Sequence, residues 1–430
     1  MEFAIIGYGV VLVMMYLLMK SKTSPIALFI ILPIIGALIG GFGVKEIDTF
    51  IKKGMGMVTS NAIMFCFSVV YFNIMNAVGI FDPIVDYLVK KAGNNVVAVT
   101  IAASIIGILS HLDGASATTV LVTIPAMWPI FQRMNISAEA LLLILSGSLG
   151  VMNLLPWGGP TARVAAITGL DMNYLWIKMI PTQIFGAIAT IFMSALVGMY
   201  EKKRGAGYVP SGDVDDSGAP KENRKFTPKV TFNLILTLAL LGVLSWGKIT
   251  AYTAFMIALS IALIFNYKDL KEQEDVVKKN CVAGFMMVAV MLASGVFVGI
   301  LNFTPMIKQM AVAIVQIIPA ALERWLHIII GLLTPFIGMV IGADAYYYGI
   351  TPLVIEICKN FGISSESVGF TALLGKNVAL LLSPMNPSTW LALGLTGVGI
   401  REHIKYSTAP IFLLTAATIA FAVITGVIQV

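Results

Sequence analysis

Apolar positions along this chain fall in long unbroken blocks, without the period-two alternation of half-buried strands. In the first half the blocks cover residues 3–19, 25–43, 56–79 and 174–199, and in the second 230–247, 249–267, 281–302 and 408–429. Each has roughly the length a helix needs to cross a hydrocarbon layer about 30 Å thick. Between them, Lys45 to Lys53 and Phe81 to Lys91 read as polar connectors, the second as an interfacial amphipathic helix. Lys268 to Lys279 reads as a separate charged helix, and Pro305 to Arg324 as a further connector.

Four longer runs carry polar interruptions where a spanning helix should continue. The run 96–134 is broken at its centre by SHLDGASATT (Ser110 to Thr119), and 325–358 by GADAYYYG (Gly342 to Gly349). In the first of these, arms of roughly 14 residues are too short for two full spans and predict a re-entrant hairpin. The runs 138–170 and 366–397 are broken by NLLPWGGPTAR (Asn153 to Arg163) and LSPMNPSTW (Leu382 to Trp390). Proline removes a backbone donor and clashes with the preceding turn, and paired glycines weaken the helix further. In hydrocarbon the freed backbone groups need partners, so such breaks face protein or a polar cavity.

The interruptions recur in one order. Pro125 and Pro352, Ile136 and Ile363, Ser137 and Ser364, and Glu139 and Glu366 share an offset of 227 residues. The same offset superposes Pro160 on Pro387 and Thr161 on Ser388. The expected architecture is therefore an all-α polytopic membrane protein built of two repeats, 1–200 and 230–430, joined by a hydrophilic linker at 201–229. Each repeat holds five spans and one hairpin, and an odd span count inverts the second repeat. Inverted repeats with helices broken at the midplane are a signature of secondary transporters.

Composition agrees. Of 430 residues, 58% are hydrophobic and 12% charged, against about 25% charged in soluble domains. The net charge of +6 is a matter of topology, since no basic stripe with interleaved aromatics points to nucleic acid. On the side reached after the first span lie 18 Lys and Arg, against 8 on the other. The positive-inside rule makes that side cytoplasmic and both termini extracytoplasmic. The N-terminal run has no basic leader and reads as a retained span. Cys66, Cys281 and Cys358 show no metal-ligand spacing. HExxH and GxSxG motifs are absent, so an enzyme is not expected. A channel is the other rival, but two cations in the broken segments suit an anion cavity better than a cation filter.

The chemistry concentrates at the interruptions. Pro160 and Pro387 fall where a new helix starts, and the first-turn N–H groups and positive dipole end favour a carboxylate. Thr161, Ser388 and Thr389 add hydroxyls that either bind an anion or bond their own backbone. Asp113 and Asp344 sit at the hairpin tips, while Arg163 and Lys376 lie in the broken segments. Each aspartate is a candidate cation ligand or proton carrier, or else the partner of one of those cations in a structural ion pair. His111 is a proton carrier, a metal ligand or a plain hydrogen-bonding group. Asn153, Asn377 and Asn386 supply neutral amides beside the breaks.

SHLDGASATT, NLLPWGGPTAR, GADAYYYGITP and LLSPMNPSTW together resemble the CitMHS family of citrate–metal symporters, within the ion transporter superfamily. That resemblance implies proton-driven uptake of citrate bound to a divalent metal such as Mg²⁺ or Ca²⁺, with no resident cofactor; coupling to Na⁺ is the alternative the residues leave open. It also implies a bacterial-type inner membrane, and a homodimer whose transport domain moves against a scaffold like an elevator. Carried over by position, the binding groups are Asp113, Ser116, Thr118, Gly158, Gly159, Pro160, Thr161, Arg163, Asp344, Ser388 and Thr389. Lys376 departs from the family pattern, which has a neutral residue there, and leaves metal-free carboxylate transport open.

Overall fold

The computed structural model describes residues 2–19, 23–207, 226–316, 322, 324–384 and 386–430. Most of the expected linker, Lys20, Lys22, Met385 and part of the 305–324 connector lie outside the described residues. Among the described residues the chain is helical throughout, with no strand. Its first half runs α1 Glu2–Met19, α2 Pro25–Ile39, α3 Val44–Val78, α4 Asp82–Ala92, α5 Val96–Ser110, α6 Ser116–Arg133, α7 Ala138–Met152, α8 Gly159–Thr168 and α9 Met172–Lys203. The second half runs α10 Pro228–Trp246, α11 Ala251–Asn266, α12 Leu270–Phe303, α13 Met306–Val315, α14 Leu326–Val340, α15 Thr351–Lys359, α16 Ser365–Val378, α17 Pro387–Thr396 and α18 Ile400–Ile424. Six helical segments among the described residues are long and apolar enough to cross a membrane. Exposed Ile184, Ile188 and Phe192 on α9, Ile235 and Leu238 on α10, and Ile264 and Phe265 on α11 give those helices apolar outer faces suited to lipid.

Two expected boundaries are corrected. Lys45 to Lys53 is the first part of α3, and Lys268 to Lys279 mostly forms the first turns of α12. Neither stretch contains a proline, and Lys and Glu are good helix formers, so the helix continues beyond its apolar part. At 35 and 34 residues, α3 and α12 reach roughly 50 Å, well beyond the hydrocarbon layer.

These two helices pack antiparallel along a seam of small residues. A Cβ on Gly54 would overlap the Gly295 carbonyl oxygen and stand 2.6 Å from Gly299 Cα. A Cβ on Gly299 would stand 2.5 Å from the Phe50 carbonyl oxygen. Such close backbone approach is how helices associate where no hydrophobic force separates lipid from side chain.

Inside lie the two interrupted helices. Fourteen of the fifteen residues of α7 are buried, as are twelve of the fourteen in α16. Their C-terminal ends meet: a Cβ on Gly150 would lie 2.5 Å from Val378 Cα and 2.7 Å from the Asn377 carbonyl oxygen. The Asn377 side chain then donates to the Asn153 carbonyl at 3.3 Å. Both helix breaks are thereby fixed at one depth.

The Gly54 seam predicts a contrast between neighbours. Gly54→Ala should cost about 1–3 kcal/mol through overpacking, whereas Gly56→Ala, with nothing within 4 Å of its Cβ position, should not destabilise. Thermal unfolding of the two variants in detergent measures the difference; equal melting temperatures would contradict the seam.

Candidate functional site

The first hairpin turns at Gly114, whose φ of +75° is open to glycine and strained for other residues. A Cβ there would also press on Trp157 Cδ1 at 2.9 Å. Asp113 closes the turn by accepting from the Ala115 amide at 2.8 Å and from Asn76 Nδ2 of α3 at 2.7 Å. The Thr118 side chain bonds the same carboxylate. Next to it, buried His111 sets Nδ1 2.6 Å from Thr119 Oγ1 and Nε2 3.4 Å from Asn153 Oδ1. Trp157 of the first break donates its indole N–H to the Leu112 carbonyl at 2.8 Å and stacks on Phe72. Tip and break thus form one packed unit.

The first break begins where α7 ends at Met152 and closes through turns from Leu155 N to Met152 O and from Gly158 N to Leu155 O. Gly158 is the extended N-cap of α8, with Pro160 in the first turn. The first-turn amides of a helix have no intrahelical acceptors, so this end is electropositive. Arg163 stands four residues after Gly159, on the same helix face. A Cβ on Gly159 would lie 2.9 Å from Arg163 Nη1, so the glycine makes room for the guanidinium. Arg163 Nε donates to Asp344 Oδ1 of the second tip at 2.6 Å, with both side chains about four-fifths covered. Thr161 Oγ1 donates to its own break at Leu154 O, 3.2 Å away.

The second break has the same parts in different chemistry. After α16 and a single 3₁₀ turn at Leu380–Leu382, Asn386 caps α17 by accepting from Ser388 N at 3.2 Å, with Pro387 at the first position. Thr389 Oγ1 donates back to Ser383 O at 2.9 Å. The second hairpin passes from α14 through a π-helical turn, Ala345–Ile350, into α15. Tyr346, Tyr347 and Tyr348 are all buried, and Tyr346 bonds Thr334. Lys376, 3% exposed, reaches from α16 to the end of α14. There it donates to the carbonyls of Gly338 and Ile341, each at 2.9 Å.

These elements enclose a cavity of about 670 Å³, within the range typical of small-molecule sites. Its wall brings together Ser116, Asn153, Gly159, Pro160, Arg163, Asp344, Lys376, Asn386 and Pro387 from residues the sequence singled out. His111, Asp113, Thr118, Gly158, Thr161, Ser388 and Thr389 stand behind that wall and are not part of its lining. Of these, Thr161 and Thr389 hold the break backbones in shape. Asp113 and Asp344 are each engaged with protein donors, and no group of three His, Cys, Asp or Glu forms a metal cage among the described residues. Trp390 is 53% exposed and does not line the cavity. Reasoning from the sequence missed Asn76, an Asp113 partner from outside the hairpin, although an amide inside an apolar run was a visible signal. It also missed Thr23, Ser24 and Met287, which line the cavity from helices or loops distant in sequence.

A family model described as citrate transporter matches residues 8–375. The chain is 32% identical over 429 residues to a Bacillus subtilis citrate transporter, covering 98% of this chain and 99% of that one. It is also 32% identical over 431 residues to the Mg²⁺/citrate complex secondary transporter of the same organism, covering 99% of each. The fold is similar to the crystal structure of the Alcanivorax borkumensis YdaH transporter, with a TM-score of 0.62 and 17% identity over 90% of each chain. It is likewise similar to Neisseria gonorrhoeae MtrF, again with a TM-score of 0.62 and 17% identity, over 88% of this chain and 84% of that one.

Gly159 and Arg163 give a paired prediction. Gly159→Val should displace the guanidinium and weaken ligand binding, and Arg163→Gln should weaken it by about tenfold or more, the loss of a charge-assisted hydrogen bond. Both should remain folded by circular dichroism. Calorimetric titration with di- and tricarboxylates measures the effect; unchanged affinity in Arg163→Gln would remove Arg163 from the site.

Proposed function

This chain belongs to the citrate transporter family, and on that premise we propose that it imports citrate or a related di- or tricarboxylate as a complex with a divalent metal, together with protons. The observation that carries the reading is the cavity's charge. Its wall holds Arg163 and Lys376 against Asp344, one net positive formal charge, between the N-terminal ends of α8 and α17. A fully ionised tricarboxylate holding one divalent cation carries a single net negative charge and matches it. The metal is cargo on this reading, held by the substrate's own oxygens, which suits a wall without a cage of acidic ligands. Arg163, already oriented through Nε by Asp344, keeps its Nη pair for a substrate carboxylate.

Several features support alternating access by two inverted repeats, 1–200 and 230–430. Ser137 and Ser364 each cap an interrupted helix, accepting from Ala140 N and Ser367 N. The short helices after the breaks are both ten residues long and end at left-handed Gly169 and Gly397. α3 packs on α11 as α12 packs on α2. The hairpins and breaks then form the moving body of an elevator, and the long α3–α12 pair belongs to the scaffold. His111, with both ring nitrogens set against oxygens, is one candidate for coupling, beside Asp113 and Asp344. The proposal places both termini outside a bacterial inner membrane and the working unit as a homodimer.

Metal-free carboxylate symport is the second reading, favoured by Lys376, whose fixed charge lessens the need for a metal. Uptake of labelled citrate into proteoliposomes separates the two. Added Mg²⁺ or Ca²⁺ should raise the rate about tenfold or more, equivalent to roughly 1.4 kcal/mol, and an inward proton gradient should drive accumulation. Indifference to the metal would overturn the metal complex, and absence of uptake of citrate and of every other di- and tricarboxylate under these conditions would overturn carboxylate transport.

A further inference from the structure

The end of α14 is an unusual place for a lysine ammonium. The helix stops at Val340, so the carbonyls of its last turn lack helical donors and form the negative end of the dipole. Such half-helix C-terminal carbonyls are where secondary transporters bind small cations. Here the Gly338 and Ile341 carbonyls converge on Lys376 Nζ, 2.9 Å from each. Lys376 is buried, and no carboxylate pairs with it among the described residues. The approach is built for it: a Cβ on Gly338 would lie 2.8 Å from Nζ. At the first tip one turn carbonyl, Leu112 O, is held by the neutral indole N–H of Trp157.

We propose that the Lys376 ammonium is a built-in cation, filling at the second hairpin a carbonyl site that would otherwise take a mobile monovalent cation such as Na⁺. An ammonium and a small cation satisfy the same need, a positive charge among carbonyl oxygens. The lysine differs in being tethered, so the site is always filled and no cation gradient acts through it. The role in coupling rests on the transport reading above; the occupancy of the site does not.

The test compares the full-length protein with Lys376→Ala, Lys376→Met and Lys376→Arg in detergent, without substrate, across choline, Na⁺, K⁺ and ammonium salts at equal ionic strength. Lys376→Ala should melt lower than the parent in choline and gain about 2 °C or more in Na⁺ or ammonium as the vacated site binds it. The parent and Lys376→Arg should show no such gain. If Lys376→Ala does not fold, Lys376→Met carries the same expectation, and purification of both in ammonium should recover them. A variant that no cation stabilises or recovers would overturn the proposal, as would a cation effect equal in parent and variant. In proteoliposomes the variant's uptake should acquire a dependence on the same cation that the parent lacks. Loss of uptake in the parent itself would defeat the transport reading while leaving the melting comparison intact.

Discussion

Everything at the centre of this molecule depends on the contact between the ends of α7 and α16. Gly150 lets the two backbones touch at Val378, and the Asn377 amide closes the contact on the Asn153 carbonyl. Each helix stops just beyond that point, so two sets of end carbonyls and two new helix starts are held at one depth. A broken helix in hydrocarbon is costly because its freed backbone groups need partners. Here each break provides part of the other's surroundings, and the side chains of α7 and α16 are almost wholly buried against protein. The long α3–α12 pair, drawn together by Gly54, Gly295 and Gly299, gives this core a stiff flank.

The polar groups around the cavity divide between support and exposure. Thr161 and Thr389 bond carbonyls of their own breaks, and Asp113 secures the first tip to Asn76. What remains on the wall is a short set in which cations outnumber anions. The Arg163–Asp344 pair joins the first break to the second hairpin across 181 positions of sequence. It orients the guanidinium without occupying its whole fork, as a site for a planar carboxylate requires.

Much of this was legible in the chain. A polar interruption was expected at Ser110 to Thr119, and there the helix ending at Ser110 gives way to the one starting at Ser116. The break at NLLPWGGPTAR lies between Met152 and Gly159. Proline, glycine and polar residues inside apolar blocks carry their own structural meaning, so those features show without a fold. The first arm with its turn, Val96–Asp113, is long and apolar enough to cross a membrane, longer than the short arm expected of a re-entrant hairpin. The start of α3 did not show, because a charged stretch free of breakers reads equally well as connector or as helix. At Lys268 to Lys279 the helix was legible but its continuation into the span was not. The partners of Lys376 were hidden for a different reason: backbone carbonyls are present at every position, and only the folded chain shows which ones converge. The sequence allowed Arg163 either aspartate, and packing alone chose Asp344 over Asp113.

The central claim is that both breaks serve one ligand. It is tested most directly by substrate protection of single cysteines at Ser116 and at Asn386, in protein lacking Cys66, Cys281 and Cys358. With citrate and Mg²⁺ present, thiol labelling at both positions should slow together, with the same half-protecting concentration, since one molecule covers both walls. Protection at one position with undiminished labelling at the other would contradict a shared site.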